Sequence, residues 1–236
     1  MICRVSQRTI KAARVPAERI AVYGEFGGGN FGNDASLDAL LRILGGWGYD
    51  ISKIFCFCRG PEVVSDTFGM RALRIRGRNP SRRLGPFRWM LSWLQKLRDL
   101  VRMCVLAGDF SIVVVPGTGI VEDGVGTWGV PFDLFCLAMA CNLRKTKLLV
   151  LCVGAGLPRN WLTRLFYRHF LRAASFRSFR DKYSKGAATA LGVETAGDHV
   201  YADLAMGLPV PQPRWPASSP SVGSRPAVAS RPNRQR

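Results

Sequence analysis

The stretch IAVYGEFGGGNFGNDASLDALL, Ile20–Leu41, decides the fold. Its first four residues are apolar, with β-branched and aromatic side chains, and have the length of a strand. A loop carrying Gly24, Gly27, Gly28, Gly29 and Gly32 follows. Asn33 and Asp34 then offer capping side chains, which predicts a helix over 35–44 stopped by Gly45 and Gly46. Strand, glycine loop and helix form the opening unit of an α/β sheet.

The same alternation continues along the chain. Strands are expected over 51–58, 72–75, 111–115, 148–153 and 174–179, and helices over 62–67, 86–106, 132–141, 161–171 and 184–191, the last followed by Gly192 as its stop. Strands that are apolar throughout, separated by helices, call for a parallel sheet covered on both faces. The expected fold class is therefore α/β, a doubly wound, mainly parallel Rossmann-like sheet spanning 18–208. A flexible basic leader, 1–17, precedes it. From Pro209 the character changes: seven of the fourteen prolines and five serines fall in 209–236, and no apolar periodicity survives. Such a segment buries too little surface to offset its ordering entropy, so a disordered tail is expected.

Composition sets the outer bounds. With 236 residues, 47% hydrophobic and 21% charged, the chain is neither disordered, collagenous nor coiled-coil as a whole. No uncharged apolar run reaches the roughly 18–20 residues of a spanning helix. The net charge of +18 is confined to three segments: 1–17, 71–102 and 204–236. Two of these read as tails and the remaining chain is neutral, so nucleic acid is not an expected partner. The third, with ten basic residues against Asp99, could meet an anionic membrane surface through 76–107. In its helix Trp89, Met90, Trp93, Leu94, Leu97, Leu100 and Val101 form a broad apolar face, with Arg88, Lys96, Arg98 and Arg102 outside it. An ordinary helix covering a sheet gives much the same pattern. Seven cysteines without a CxxC pair and only two histidines suggest free thiols in a reducing, cytoplasmic compartment, and no metal site.

In an open parallel sheet ligands bind beyond the carboxyl ends of the strands, so the loops there are the candidates. The first contains Asn30, Gly32, Asn33 and Asp34. Residues 27–32 match GxGxxG, but the loop is longer than a tight dinucleotide turn, no acid follows at the end of the second strand, and Asp34 opposes a phosphate at the helix start. A nucleotide loop and a purely structural turn both remain open at this point. The second loop holds Gly117, Thr118, Gly119 and Asp123, suited to close approach and to sugar hydroxyls. The third is Gly154-Ala155-Gly156. The fourth, from Arg180 through Asp181 to Ser184, offers a guanidinium for a carboxylate or phosphate, or equally a structural tie to Asp181. Ser184 reads as a helix cap rather than a nucleophile.

Taken in order, these loops resemble the polysaccharide pyruvyl transferase family. GGGNFGNDASLDALL looks like the family's first strand–helix turn, with Asn33 where aspartate is more usual. VVVPGTGIVEDG and LLVLCVGAGLP are similar to its central strands and glycine loops. SFRDKYSKGAATALGV matches an RDxxS segment at Arg180, Asp181 and Ser184, and YADLAMGLP resembles the short aspartate-containing strand that follows. The resemblance implies one half of a GT-B-like fold, and transfer of a pyruvyl group from phosphoenolpyruvate, the donor substrate, to a sugar hydroxyl pair in exopolysaccharide or cell-wall glycan synthesis. It implies a glycan or lipid-linked sugar acceptor, no further cofactor, and action at the cytoplasmic side; the basic segment 76–107 adds the expectation of a peripheral place at the inner membrane face. Members are usually longer, with donor binding and catalysis mainly in a second half, so this chain is expected to be an incomplete member. Two alternatives stand beside it: half of a sugar-nucleotide-dependent glycosyltransferase, and a non-enzymatic basic module on membrane or nucleic acid.

Overall fold

The computed structural model describes residues 19–75, 87–117, 119, 121 and 126–209. The leader 1–17, nearly all of the tail, and the first part of the basic segment lie outside them. Among the described residues seven strands form one sheet: β1 (Ile20–Tyr23), β2 (Phe55–Cys58), β3 (Arg71–Arg74), β4 (Ile112–Pro116), β5 (Lys147–Val153), β6 (Phe176–Phe179) and β7 (His199–Val200). Their spatial order is β3-β2-β1-β4-β5-β6-β7, and every pairing is parallel. The strand order reverses between β1 and β4. Chain leaving these two strands diverges, which opens a crevice at their carboxyl ends.

Alternate residues of each strand feed two separate cores. Ile20, Val22, Cys56, Cys58 and Val114 pack against Leu37, Leu40, Leu41 and Leu44 of α1 (Phe31–Gly46) and Val64 of α2 (Pro61–Phe68). Ala21, Tyr23, Phe57, Val113 and Val115 face the other way. They meet α3 (Phe87–Ala107), α4 (Val130–Arg144), α5 (Trp161–Ala173) and α6 (Lys182–Ala190) through Met103, Leu137, Tyr167, Ala188 and their neighbours. This is why the central strands are apolar at every position: neither face meets water. Burying one such valine contributes about 1.5–3 kcal/mol. Trp93 of α3 sits edge-on to Trp128, centroids 4.6 Å apart, and Trp128 packs in turn on Phe132 and Phe166, tying α3 to α4 and α5. Among the described residues no helix is long and apolar enough to cross a membrane. Six cysteines there are free thiols, five of them buried.

The doubly wound, parallel expectation is met, and the boundaries that differ do so for local reasons. The strand predicted over 51–58 is divided, because Asp50 accepts from the Ser52 N–H at 3.1 Å and caps a 3-10 turn, Ile51–Lys53. The first helix starts earlier than predicted because Asn30, not Asn33 or Asp34, is its cap and accepts from the Gly32 N–H at 3.1 Å. In α6 the cap is Asp181, not Ser184: its carboxylate accepts from the Ser184 N–H at 2.6 Å, and Ser184 is buried. Gly192 follows α6 with φ +79°, as its position predicted. Pro131 sits in the first turn of α4, where its missing N–H has no helical partner to lose, and the helix begins at Val130.

Candidate functional site at the carboxyl edge

A cleft of about 500 Å³ opens where the strand order reverses. One wall is the loop after β1 and the start of α1, contributing Glu25, Gly28, Asn30, Gly32 and Asn33, with Arg59 from the end of β2. The other is built from Gly117 and Gly119 after β4, Arg180 after β6, and Asp203, Ala205 and Met206 beyond β7.

The β1 loop is shaped by contacts within itself. Asp34 accepts from the Gly27 N–H at 2.8 Å, and the Asn33 side-chain amide donates to the Glu25 carbonyl at 3.4 Å. Both Gly27 and Gly32 therefore direct their N–H groups to side chains of the same chain. A phosphate cradled by this GxGxxG would need those donors. Two of the loop's N–H groups are thereby turned to its own side chains, and the side chains of Asn30 and Asn33 stand at the cleft wall.

Two guanidiniums border the cleft, each beside a carboxylate. Arg180 lies 3.9 Å from Asp203 and 3.5 Å from Asp181, and Arg59 lies 3.8 Å from Glu25. Charge-assisted hydrogen bonds run about 2.7–2.9 Å, so these wider pairs leave donors to offer an incoming anion. The two differ in support. The Arg59 side chain is 66% exposed; that of Arg180 is 38% exposed and lies flat over Gly154, where an added Cβ would fall 2.5 Å from its Cζ. The Ser184 backbone N–H holds the Asp181 carboxyl below the ordinary aspartate range, with Arg180 adding to the effect.

Asp203 joins three elements. It caps the 3-10 turn Leu204–Gly207 by accepting from the Ala205 N–H at 3.1 Å, accepts from the Ser36 hydroxyl of α1 at 3.3 Å, and faces Arg180 with its other oxygen. β5 carries a register irregularity between Val150 and Val153, with Cys152 at φ +50° and its N–H donated to the Ser178 hydroxyl at 2.9 Å. That irregularity lies directly before Gly154, the seat of Arg180.

Of the residues singled out from sequence, Asn30, Gly32, Asn33, Gly117, Gly119 and Arg180 converge on this cleft. Gly154 lies beneath Arg180. Gly156 instead donates to the Val121 carbonyl beside a short parallel bridge, Val121 to Ala155. Asp34 and Asp181 accept from backbone N–H groups, Ser184 bonds the Asp181 carboxylate, and none of the three lines the cleft. Thr118 and Asp123 lie outside the described residues. Glu25 and Arg59 were not singled out from sequence, and Asp203 only as the aspartate of the YADLAMGLP segment, not as a site residue. The available signal was position: each follows a strand at its carboxyl end. Among the described residues no group of three His, Cys, Asp or Glu side chains could hold a metal ion.

The parallel sheet, its reversal point and the polar carboxyl-edge cleft define a Rossmann-like α/β protein, of the kind found as one half of a GT-B-like fold. One solved structure agrees at that level. UDP-GlcNAc 2-epimerase from Neisseria meningitidis, bound to UDP-GlcNAc, superposes with TM-score 0.50 at 14% identity, over 79% of this chain and 46% of that one. The enzyme from Methanocaldococcus jannaschii gives 0.48 at 12%, over 77% and 44%. The chain thus spans less than half the length of these structures. No curated protein matches it. The family model for polysaccharide pyruvyl transferase matches residues 30–235. The chain belongs to that family.

Proposed function

We propose that this chain forms the acceptor-holding half of a pyruvyl transferase site, in which two hydroxyls of a sugar receive a pyruvyl group from phosphoenolpyruvate as a cyclic ketal. The observation that carries the reading is the pairing, in one cleft, of a seated guanidinium, Arg180, with the Asp203 carboxylate and the amides of Asn30 and Asn33. Carboxylates and amides bind hydroxyls, which both donate and accept, whereas the donor brings a carboxylate and a phosphate that need positive charge.

The balance of the reaction gives each group a task. One sugar oxygen adds to C2 of the enolpyruvyl unit while C3 takes up a proton and becomes a methyl. The second hydroxyl then displaces phosphate from C2, closing the ketal and releasing inorganic phosphate. Asp203 or Glu25 can accept a hydroxyl proton, and Arg180 stabilises charge on the departing phosphate. The natural setting of this chemistry is exopolysaccharide or cell-wall glycan synthesis at the cytoplasmic side, with a glycan or lipid-linked sugar as acceptor. On this reading most of the donor machinery lies in a second half.

Saturation-transfer NMR with acceptor oligosaccharides, alongside phosphate release from phosphoenolpyruvate, tests the proposal. The chain alone should bind glycan with little phosphate release. Asp203→Asn retains the oxygen that accepts from Ser36 and Ala205 but removes the charge, and should weaken glycan binding about tenfold, the effect of losing one charged hydrogen bond. Tight UDP-sugar binding with no glycan binding would overturn the reading in favour of a nucleotide-sugar enzyme. Robust phosphate release would overturn the assignment of a half-site.

A further inference from the structure

α3 packs against the sheet with one side and leaves a second apolar side uncovered by any described residue. At about 100° per residue, Met103 and Ala107 face the core, and Met90, Leu94, Leu97, Val101 and Val105 fall together on the far side. These five are each 50–63% exposed. Single exposed apolar residues are ordinary, but five in one stripe about 22 Å long mark a contact surface. Arg98 and Arg102, both exposed, run along one edge of the stripe, and Trp93 stands at the other. Asp99, the one acid of α3, points away, about 180° around the helix from Met90.

The charge selects the occupant. In a two-fold pairing of this stripe with a second copy, antiparallel helices would set Arg98 and Arg102 against the same arginines. Parallel helices would set them against an edge that also carries no acid. Neither arrangement supplies a counter-charge, whereas a bilayer with anionic headgroups supplies it along the whole stripe. We propose that α3 lies in the plane of an anionic membrane, with Leu94, Leu97 and Val101 entering the boundary between headgroups and acyl chains and the arginines at headgroup level. The sequence leading into α3 adds Arg76, Arg78, Arg82 and Arg83. This inference is independent of the reaction performed in the cleft.

Flotation of the full chain with phosphatidylcholine vesicles, with and without about 30% phosphatidylglycerol, at about 0.15 M salt is the test, a salt concentration at which charges beyond about 8 Å are screened. Binding is expected only to the anionic vesicles. Leu97→Glu with Val101→Glu should lower it about tenfold or more, since both apolar insertion and charge attraction are lost. Trp47→Glu, an equally exposed site on the opposite face of the sheet, should leave it unchanged. Without vesicles, the double variant should melt with the parent chain. Equal vesicle binding by parent and double variant would overturn the proposal and assign the affinity to the basic tails alone. A melting point several degrees lower in the double variant, or a dimer that the variant dissolves, would also overturn it by showing that the chain itself or a second copy covers the stripe.

Discussion

Two close contacts made by glycine, on opposite walls of the cleft, look alike and mean different things. Between the β1 and β2 loops, Gly27 and Gly60 meet backbone to backbone: a Cβ on Gly27 would lie 2.4 Å from the Gly60 carbonyl oxygen, and Gly27 has φ +66°. On the other wall, Gly154 is met by the flexible end of Arg180. The first contact fixes the path of the main chain. The second fixes only where a guanidinium rests. A contact that cannot move belongs to the fold, and one that can move at small cost belongs to the site.

The largest effect expected from breaking this comparison is on the first wall. Gly27→Ala combines a left-handed backbone with a main-chain clash, and should cost about 3 kcal/mol of stability. In a chain of this size that is a fall of about 6–12 °C in Tm by calorimetry. Gly154→Ala should leave Tm within about 3 °C, because a side-chain end can swing aside, yet displace Arg180 from its seat. Its signature is weaker binding of phosphoenolpyruvate or a related carboxylate anion, by about tenfold, in titration calorimetry. Equal losses of stability in the two variants would erase the distinction.

The smallest effect sharpens the Arg180 side alone. The folded-state pKa of Asp181 is depressed, so the stability it contributes is present above the ordinary aspartate value near 4 and is lost as pH falls through the folded-state value. The group is half exposed and its contribution is small. Melting curves followed from pH 5 to pH 3 should show a shallow additional loss that Asp181→Asn removes.

The element pattern was legible because it rests on local chemistry. Val113, Val114 and Val115 announce a strand buried on both faces, and Gly192 stops α6 where its position predicts, whereas α1 runs on through Gly45 and Gly46 and is capped only at Trp47. The capping residues were harder to read. Asn30, Asn33 and Asp34 stand within five residues of one another, and all can accept from a helix N-terminus. Which one does so depended on Gly27 turning back to take the Asp34 carboxylate. The cleft was legible in half its parts, since Asn30, Gly117 and Arg180 belong to loops that any parallel sheet would gather at one edge.

Glu25 and Arg59 were not legible, because nothing local distinguishes them from other charged residues beside strands, and Asp203 was legible only as the aspartate of YADLAMGLP, with nothing local to place it in the cleft. Asp203 gains its place only when β7 adds to the sheet and brings it within reach of Ser36, far away in sequence. The sequence alone determined that strands and helices alternate and that glycine loops follow the strands, since propensity and periodicity act over a few residues. Tertiary structure decided which side chains are consumed by the backbone and which face the cleft, because that choice is made by contacts between loops remote in the chain.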